Sequence, residues 1–271
     1  VGGAGNPSEL PALIRTWSRH EQASLALKVY GTRSGSGDFR IMIRPESLGA
    51  GQAEPLEQPK FLAIVSSFTL AEALASSPAT RPYGFIVEGP EAGGHSAPPA
   101  KMRFDAQGTP VLIYTEEDSA DIGAIAKLGL PFWLAGSYGR PERIRQALAM
   151  GARGIQFGTP AALSGQSCLA PELKAQALKL LAGNKLTVMN TMVSPTGFPF
   201  KVAQIEGTLS DKAVYLARKR VCDIGLLQAN YVTPDGGLGY RCPAEPVEEF
   251  VRKGGRAQNT AGRGCLCNGL L

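Results

Sequence analysis

The chain has 271 residues, of which 44 % are hydrophobic and 19 % charged, the balance of a soluble globular protein with room for one large domain or two ordinary ones. No apolar run of about 18 residues suggests a membrane span, and no basic, apolar and small-residue succession marks a secretion signal. The net charge of +5 is spread among intervening acidic residues, which argues for solubility and against a nucleic-acid footprint. The densest basic clusters, Arg218-Lys219-Arg220 and Arg252-Lys253 with Arg256, belong to no recognisable binding motif. Cys168, Cys222, Cys242, Cys265 and Cys267 make an odd set, which points to reduced thiols and a cytoplasmic location.

In chain order, Val1 to Pro7 is Gly-rich and reads as the end of a buried strand whose beginning is absent. Asn6 as cap, Pro7 and Glu9 then open a helix with Leu10, Leu13, Ile14 and Trp17 on one face, ending near Trp17 to His20. Leu25 to Val29 and Phe39 to Ile43 flank a turn-rich stretch and predict a β-hairpin inserted at about 24–44. Phe61 to Val65 predicts a strand, followed by Ser66-Ser67 and a helix with Leu70, Ala73 and Leu74 at helical spacing. Gly84 to Glu88 is the next strand. The irregular stretch from Gly89 to Pro110 is too long for an ordinary connection and reads as functional.

A helix over 116–128 follows, capped by Thr115, with Ile122 and Ile125 inward and Gly129 as its stop. Phe132 to Ala135 is a strand, the turn Gly136 to Gly139 leads to a helix with Ile144 and Leu148 facing the core, and Gly154 to Phe157 is another strand. After a helix at about 171–182, residues 184–271 read as a loop-rich extension packing on the preceding domain of residues 1–183. Strands alternating with helices predict an α/β fold with a parallel sheet.

His95 ends a Gly-rich loop just beyond a buried strand, where parallel α/β folds bind ligands and glycines let backbone approach them closely. A histidine there can accept a proton from a carbon acid. An ordinary surface histidine is the bland alternative; His20, beside Glu21 at a helix end, reads as structural. Two further strand ends, Ala135-Gly136-Ser137-Tyr138-Gly139 and Gln156-Phe157-Gly158-Thr159, offer amide and hydroxyl donors to an anion. The cysteines at 222, 242, 265 and 267 lack zinc-site spacing, so no metal is expected.

The series Glu88 to His95, Pro131 to Ser137, Ala147 to Ala152 and Gln156 to Thr159 resembles the nitronate monooxygenase (2-nitropropane dioxygenase) family of FMN-binding TIM barrels. Gly3 to Pro7 looks like the end of that family's fourth strand, and Ser194 to Lys201 with Cys265 to Asn268 resembles a longer branch. The resemblance implies a partial (β/α)8 barrel, strands four to eight, in a fragment lacking the first three. It implies FMN with its phosphate on Gly136, Ser137, Gly158 and Thr159, with Gly93, Ala135 and Gln156 beside the cofactor. His95 would be the base toward a nitroalkane, with oxygen reoxidising the flavin. Ser66 stands where the family carries a basic residue, and Ser137 replaces a glycine of its phosphate turn. A flavin-dependent enoyl reductase using NAD(P)H on acyl thioesters shares the Gly-Gly-His loop and remains an alternative, as does a non-catalytic piece that packs on partner chains.

Overall fold

A computed structural model describes residues 9–31, 39–48, 54, 56–101, 103–106, 110–218, 222 and 224–267. The expected strand at Val1 to Gly3 and the Asn6 cap lie outside these residues. Helix α1 (Leu10–Ser18) ends where His20 takes a left-handed backbone, φ 58°. The Glu9 carboxylate reaches outward, accepting from the Ala26 amide at 3.2 Å and from Arg40 at 3.4 Å. It thereby ties α1 to the antiparallel pair β1 (Ala23–Leu27) and β3 (Phe39–Ile43), the expected hairpin. Val29 departs from that hairpin: β2 (Val29–Tyr30) pairs in parallel with a strand from the far end of the chain.

The centre is a parallel sheet in which sequence neighbours are also spatial neighbours. Strand β4 (Leu62–Val65) leads to α2 (Phe68–Ser76), and β5 (Gly84–Glu88) pairs with β4 from Leu62 opposite Gly84 to Val65 opposite Val87. The long connection after β5 contains β6 (Gly94–His95), β7 (Arg103–Phe104) and β8 (Pro110–Val111), then α3 (Ile122–Ala126). Strand β9 (Phe132–Ala135) joins β5, α4 (Pro141–Ala149) follows, and β10 (Gly154–Gln156) joins β9. The order β10-β9-β5-β4, with helices in the crossovers, is the α/β arrangement of consecutive strands of a partial barrel. Phe85, Leu134, Val65 and Ile125 are at most 1 % exposed and form its core; burying each such side chain contributes about 1.5–3 kcal/mol.

Three expectations change in detail. The helix over 116–128 is split into a 3-10 turn, Glu116–Asp118, and α3, because the segment contains two start signals. Thr115 and Asp118 form one capping box, and Asp121 caps α3 by accepting from the Ala124 amide at 2.9 Å. On α2 the buried residues are Ala71 and Ala75, with Leu70 and Ala73 exposed. On α4 Ala147 is fully buried while Leu148 is 51 % exposed. Small alanines let both helices lie close to the sheet, which rotates the neighbouring leucines outward.

Beyond β10 come α5 (Thr159–Ala162) and α6 (Pro171–Ala182). The extension carries more regular structure than its composition suggests: β11 (Val188–Val193), β12 (Pro199–Ala203), α7 (Lys212–Ala217), β13 (Ala229–Val232), β14 (Leu238–Arg241) and α8 (Val247–Arg252). Two antiparallel pairs, β11 with β12 and β13 with β14, organise it. Strand β12 also pairs with β6, setting Phe200 opposite His95 and Lys201 opposite Gly94.

Candidate active site

Parallel strands in register place their carboxyl ends in a row. Gln156 lies opposite Ala135, which lies opposite Glu88, and Ser66 follows Val65 at the same level on β4. The row is three strand spacings wide, roughly 14 Å from Ser66 to Gln156, so these two residues mark its opposite ends. Ala135 is 4 % exposed and closes the floor.

The loops above this row touch. A Cβ added to Gly136 would come within 3.0 Å of the Ala92 backbone nitrogen, so glycine is what lets this turn meet the Gly93-His95 loop. One added to Gly139 would stand 3.1 Å from Pro160 Cγ, bringing the same turn against Gly158 and Thr159 at the start of α5. Ser137 itself has φ 58°, the left-handed conformation that suits glycine, held by a β-branch-free side chain. Above Gly93, Gly94 and Gly158 a Cβ would meet nothing within 4 Å. The Gly136–Gly139 turn thus touches the loop after β5 on one side and the start of α5 on the other, with open space where side chains would lie at Gly93, Gly94 and Gly158.

His95 ends the loop that meets this turn, and its ring is half-buried. Its Nε2 is sealed from solvent and has no hydrogen-bond partner. Phe200 packs edge-on against the imidazole, ring centroids 4.8 Å apart, and burial pushes the His95 pKa below its ordinary value. A buried nitrogen without a partner costs free energy unless something pairs with it, which sets His95 apart from an ordinary surface histidine.

Several groups around it are not singled out by any local pattern. Lys201 from β12 donates to the Pro90 carbonyl and stands 5.7 Å from the Tyr114 ring centroid. Burial lowers the Lys201 pKa, against the opposing pull of Glu91 and Glu88. Burial raises the Glu88 pKa, which the Lys201 charge partly offsets. Ser96 is 4 % exposed; its hydroxyl lies 3.2 Å from that of Tyr114, which donates to Ala97 O at 2.8 Å. Arg143 on α4 reaches Glu91 at 3.5 Å and lies over the Tyr138 ring, bracing loop and turn together. Glu88 and Lys201 sit within the motifs quoted above, yet their pairing across the chain is invisible locally; Tyr114 and Ser96 carry no sequence signal.

Among the described residues no group of three or more His, Cys, Asp or Glu side chains is arranged to hold a metal ion. Among the described residues the five cysteines form no disulfide, and burial pushes the Cys242 thiol up to about 11, with the charges of Cys222 and Cys265 adding to the effect.

Comparison with known proteins decides the family. Residues 52–199, which include every strand of the parallel sheet and β6, match the model of the nitronate monooxygenase family. The chain belongs to that family. It is 28 % identical over 213 residues to the nitronate monooxygenase npaC of Metarhizium robertsii, covering 69 % of this chain and 51 % of that one. The chain therefore spans about half the length of this curated nitronate monooxygenase. Among solved structures, FabK from Thermotoga maritima is 21 % identical with a TM-score of 0.38, covering 58 % of this chain and 41 % of its own. Nitroalkane oxidase from Streptomyces ansochromogenes is 20 % identical with a TM-score of 0.36, covering 57 % and 39 %.

Proposed function

We propose that this chain carries part of the site of an FMN-dependent nitronate monooxygenase, acting on alkyl nitronates and nitroalkanes, with His95 as the base. The observation that carries the reading is the half-buried His95, unpartnered at Nε2, on the glycine-rich loop whose Ala92 meets the Gly136 turn. The residues fit a flat cofactor with a phosphate. Gly136, Ser137, Gly158 and Thr159 would hold the phosphate, Gly93, Ala135 and Gln156 the ring system, and Ser66 the far end of the row. Bound there, FMN would supply electron acceptance, with molecular oxygen as the final oxidant.

The protein's own part is proton transfer and positioning. His95 Nε2, kept neutral by burial, takes the α-proton of a nitroalkane, and the carbon's electron pair passes into the nitro group to give the nitronate. Phe200 excludes water from the imidazole. Lys201 fixes the loop through Pro90 O, and the Ser96–Tyr114 pair fixes the segment after His95.

Oxygen uptake by the purified protein, with FMN and without NAD(P)H, tests this. His95→Ala should lower nitroethane turnover about 100-fold or more, the usual worth of a general base, while preformed ethyl nitronate, which needs no deprotonation, loses far less. Equal turnover of nitroethane by variant and wild type overturns the role of His95. Activity that appears only with NAD(P)H and an acyl thioester would make the protein a reductase, and failure to take up FMN would make it non-catalytic.

A further inference from the structure

A cavity of about 380 Å³ lies between α5, α6 and the extension, with Thr159 at the start of α5 on its wall. Its wall includes Leu163, Leu173, Ala177, Leu186, Val202 and Leu209. The volume falls within the range of small-molecule pockets. Three of its polar side chains are already engaged. Thr208 donates to Ile205 O at 2.7 Å, Ser210 to the same carbonyl at 3.0 Å, and the Tyr215 hydroxyl accepts from the Cys265 amide at 2.9 Å. What remains for a ligand is chiefly apolar surface, with the Thr159 hydroxyl and the Cys265 thiol as its other polar groups, so the cavity suits a hydrocarbon chain.

One residue belongs to both places. Phe200 lines the cavity and packs edge-on against His95, with 4.8 Å between ring centroids. Thr159, also on the cavity wall, begins α5 beside Gly158. Phe200 thus stands between His95 and the cavity, and a molecule with its reacting carbon at His95 would reach the cavity past this one ring.

We infer that this cavity is a tail subsite for the alkyl chain of a medium-length primary nitro compound, so that binding strengthens with each methylene until the cavity is full. This rests on the reading of His95 as the base for nitro compounds. Each buried methylene should tighten binding about threefold to fourfold.

Calorimetric titration of the full chain with 1-butanol, 1-hexanol, 1-octanol and 1-decanol tests the cavity without any turnover. Kinetics with nitroethane to 1-nitrodecane then test its connection to the site. Tightening with chain length in both series is the expected result. Ala177→Phe, filling the cavity from α6, and Val202→Phe, filling it from β12, should each abolish the gradient for the alcohols and bring the ratio of long-chain to short-chain kcat/KM close to one. Circular dichroism and thermal melting check that each variant folds, and either folded variant suffices. A flat alcohol series in the wild type, or gradients that persist in a folded filled variant, overturns the subsite. An alcohol gradient lost on filling, together with no turnover of any nitro compound, would leave a hydrocarbon site but sink the reading of His95, separating the two failures.

Discussion

At His95 the controlling variable is water. The ring is half-buried, its Nε2 has no partner, and burial lowers its pKa. A lowered histidine pKa means that the neutral, proton-accepting form survives to lower pH, and that the contribution to stability is lost as pH falls through the folded-state value. The acid limb of kcat/KM for nitroethane should therefore inflect below the ordinary imidazole value of about 6.5. Phe200→Ala, which lets water reach the ring, should move the inflection back up toward that value. A pH–rate series on both proteins checks this, and coincident acid limbs would show that Phe200 does not control His95. The place of His95, on a glycine-rich loop just beyond a buried strand, is readable because strand, glycines and histidine are contiguous. Its packing under Phe200, and the bracing of its loop by Lys201 and Tyr114, are not, since those residues approach through pairings between distant segments, and local patterning carries no record of such contacts.

Individual elements were legible where one signal dominated. Gly84–Glu88 and Phe132–Ala135 are short β-rich runs closed by loops, and Pro171–Ala182 has proline at its start and glycine at its end. The segment after Thr115 was misread as one helix because an inward isoleucine pair outweighed the second cap at Asp121. The exposed leucines on α2 and α4 were misplaced for a related reason: hydrophobicity ranks leucine above alanine, but close packing on the sheet selects the smaller residue. Two substitutions examine the local forces. Ser67 caps α2 by accepting from the Leu70 amide at 3.3 Å, so Ser67→Ala should cost about 1 kcal/mol, read as a lower urea midpoint with an unchanged slope. Ser137 pays for its left-handed backbone, and Ser137→Gly should stabilise by up to about 1 kcal/mol in the same measurement. If Ser137→Gly instead destabilises, the hydroxyl holds the turn together and the strain is secondary.

Over the whole molecule, the contact that matters most joins the parallel-sheet unit to the extension. Strand β12 covers β6, and the Ser96 amide donates to Pro199 O at 3.0 Å, so the position of His95 depends on a strand more than 100 residues further along the chain. That strand is held in turn at its start. Val193 bridges to Arg263, whose half-buried guanidinium donates to Ser194 O at 3.0 Å and packs against the turn at Gly197. Arg263→Ala removes two guanidinium hydrogen bonds, to Ser194 O and to Asn259 O at 3.3 Å, of which the shorter is worth about 1.5–3 kcal/mol, and leaves the backbone bridge in place. If β11, β12 and β6 open as one unit, hydrogen exchange at Ser96 and along Pro199–Ala203 should accelerate about 10-fold to 100-fold in the variant, while Phe85 to Val87 in the central sheet keep their wild-type rates. The same variant should lose nitroethane turnover without touching any residue of the strand-end row, because a loosened β12 no longer seats Phe200 on His95. Faster exchange confined to the Ser194–Gly197 turn, with Ser96 unchanged, would show that the loop holds His95 by itself and that the extension only covers it.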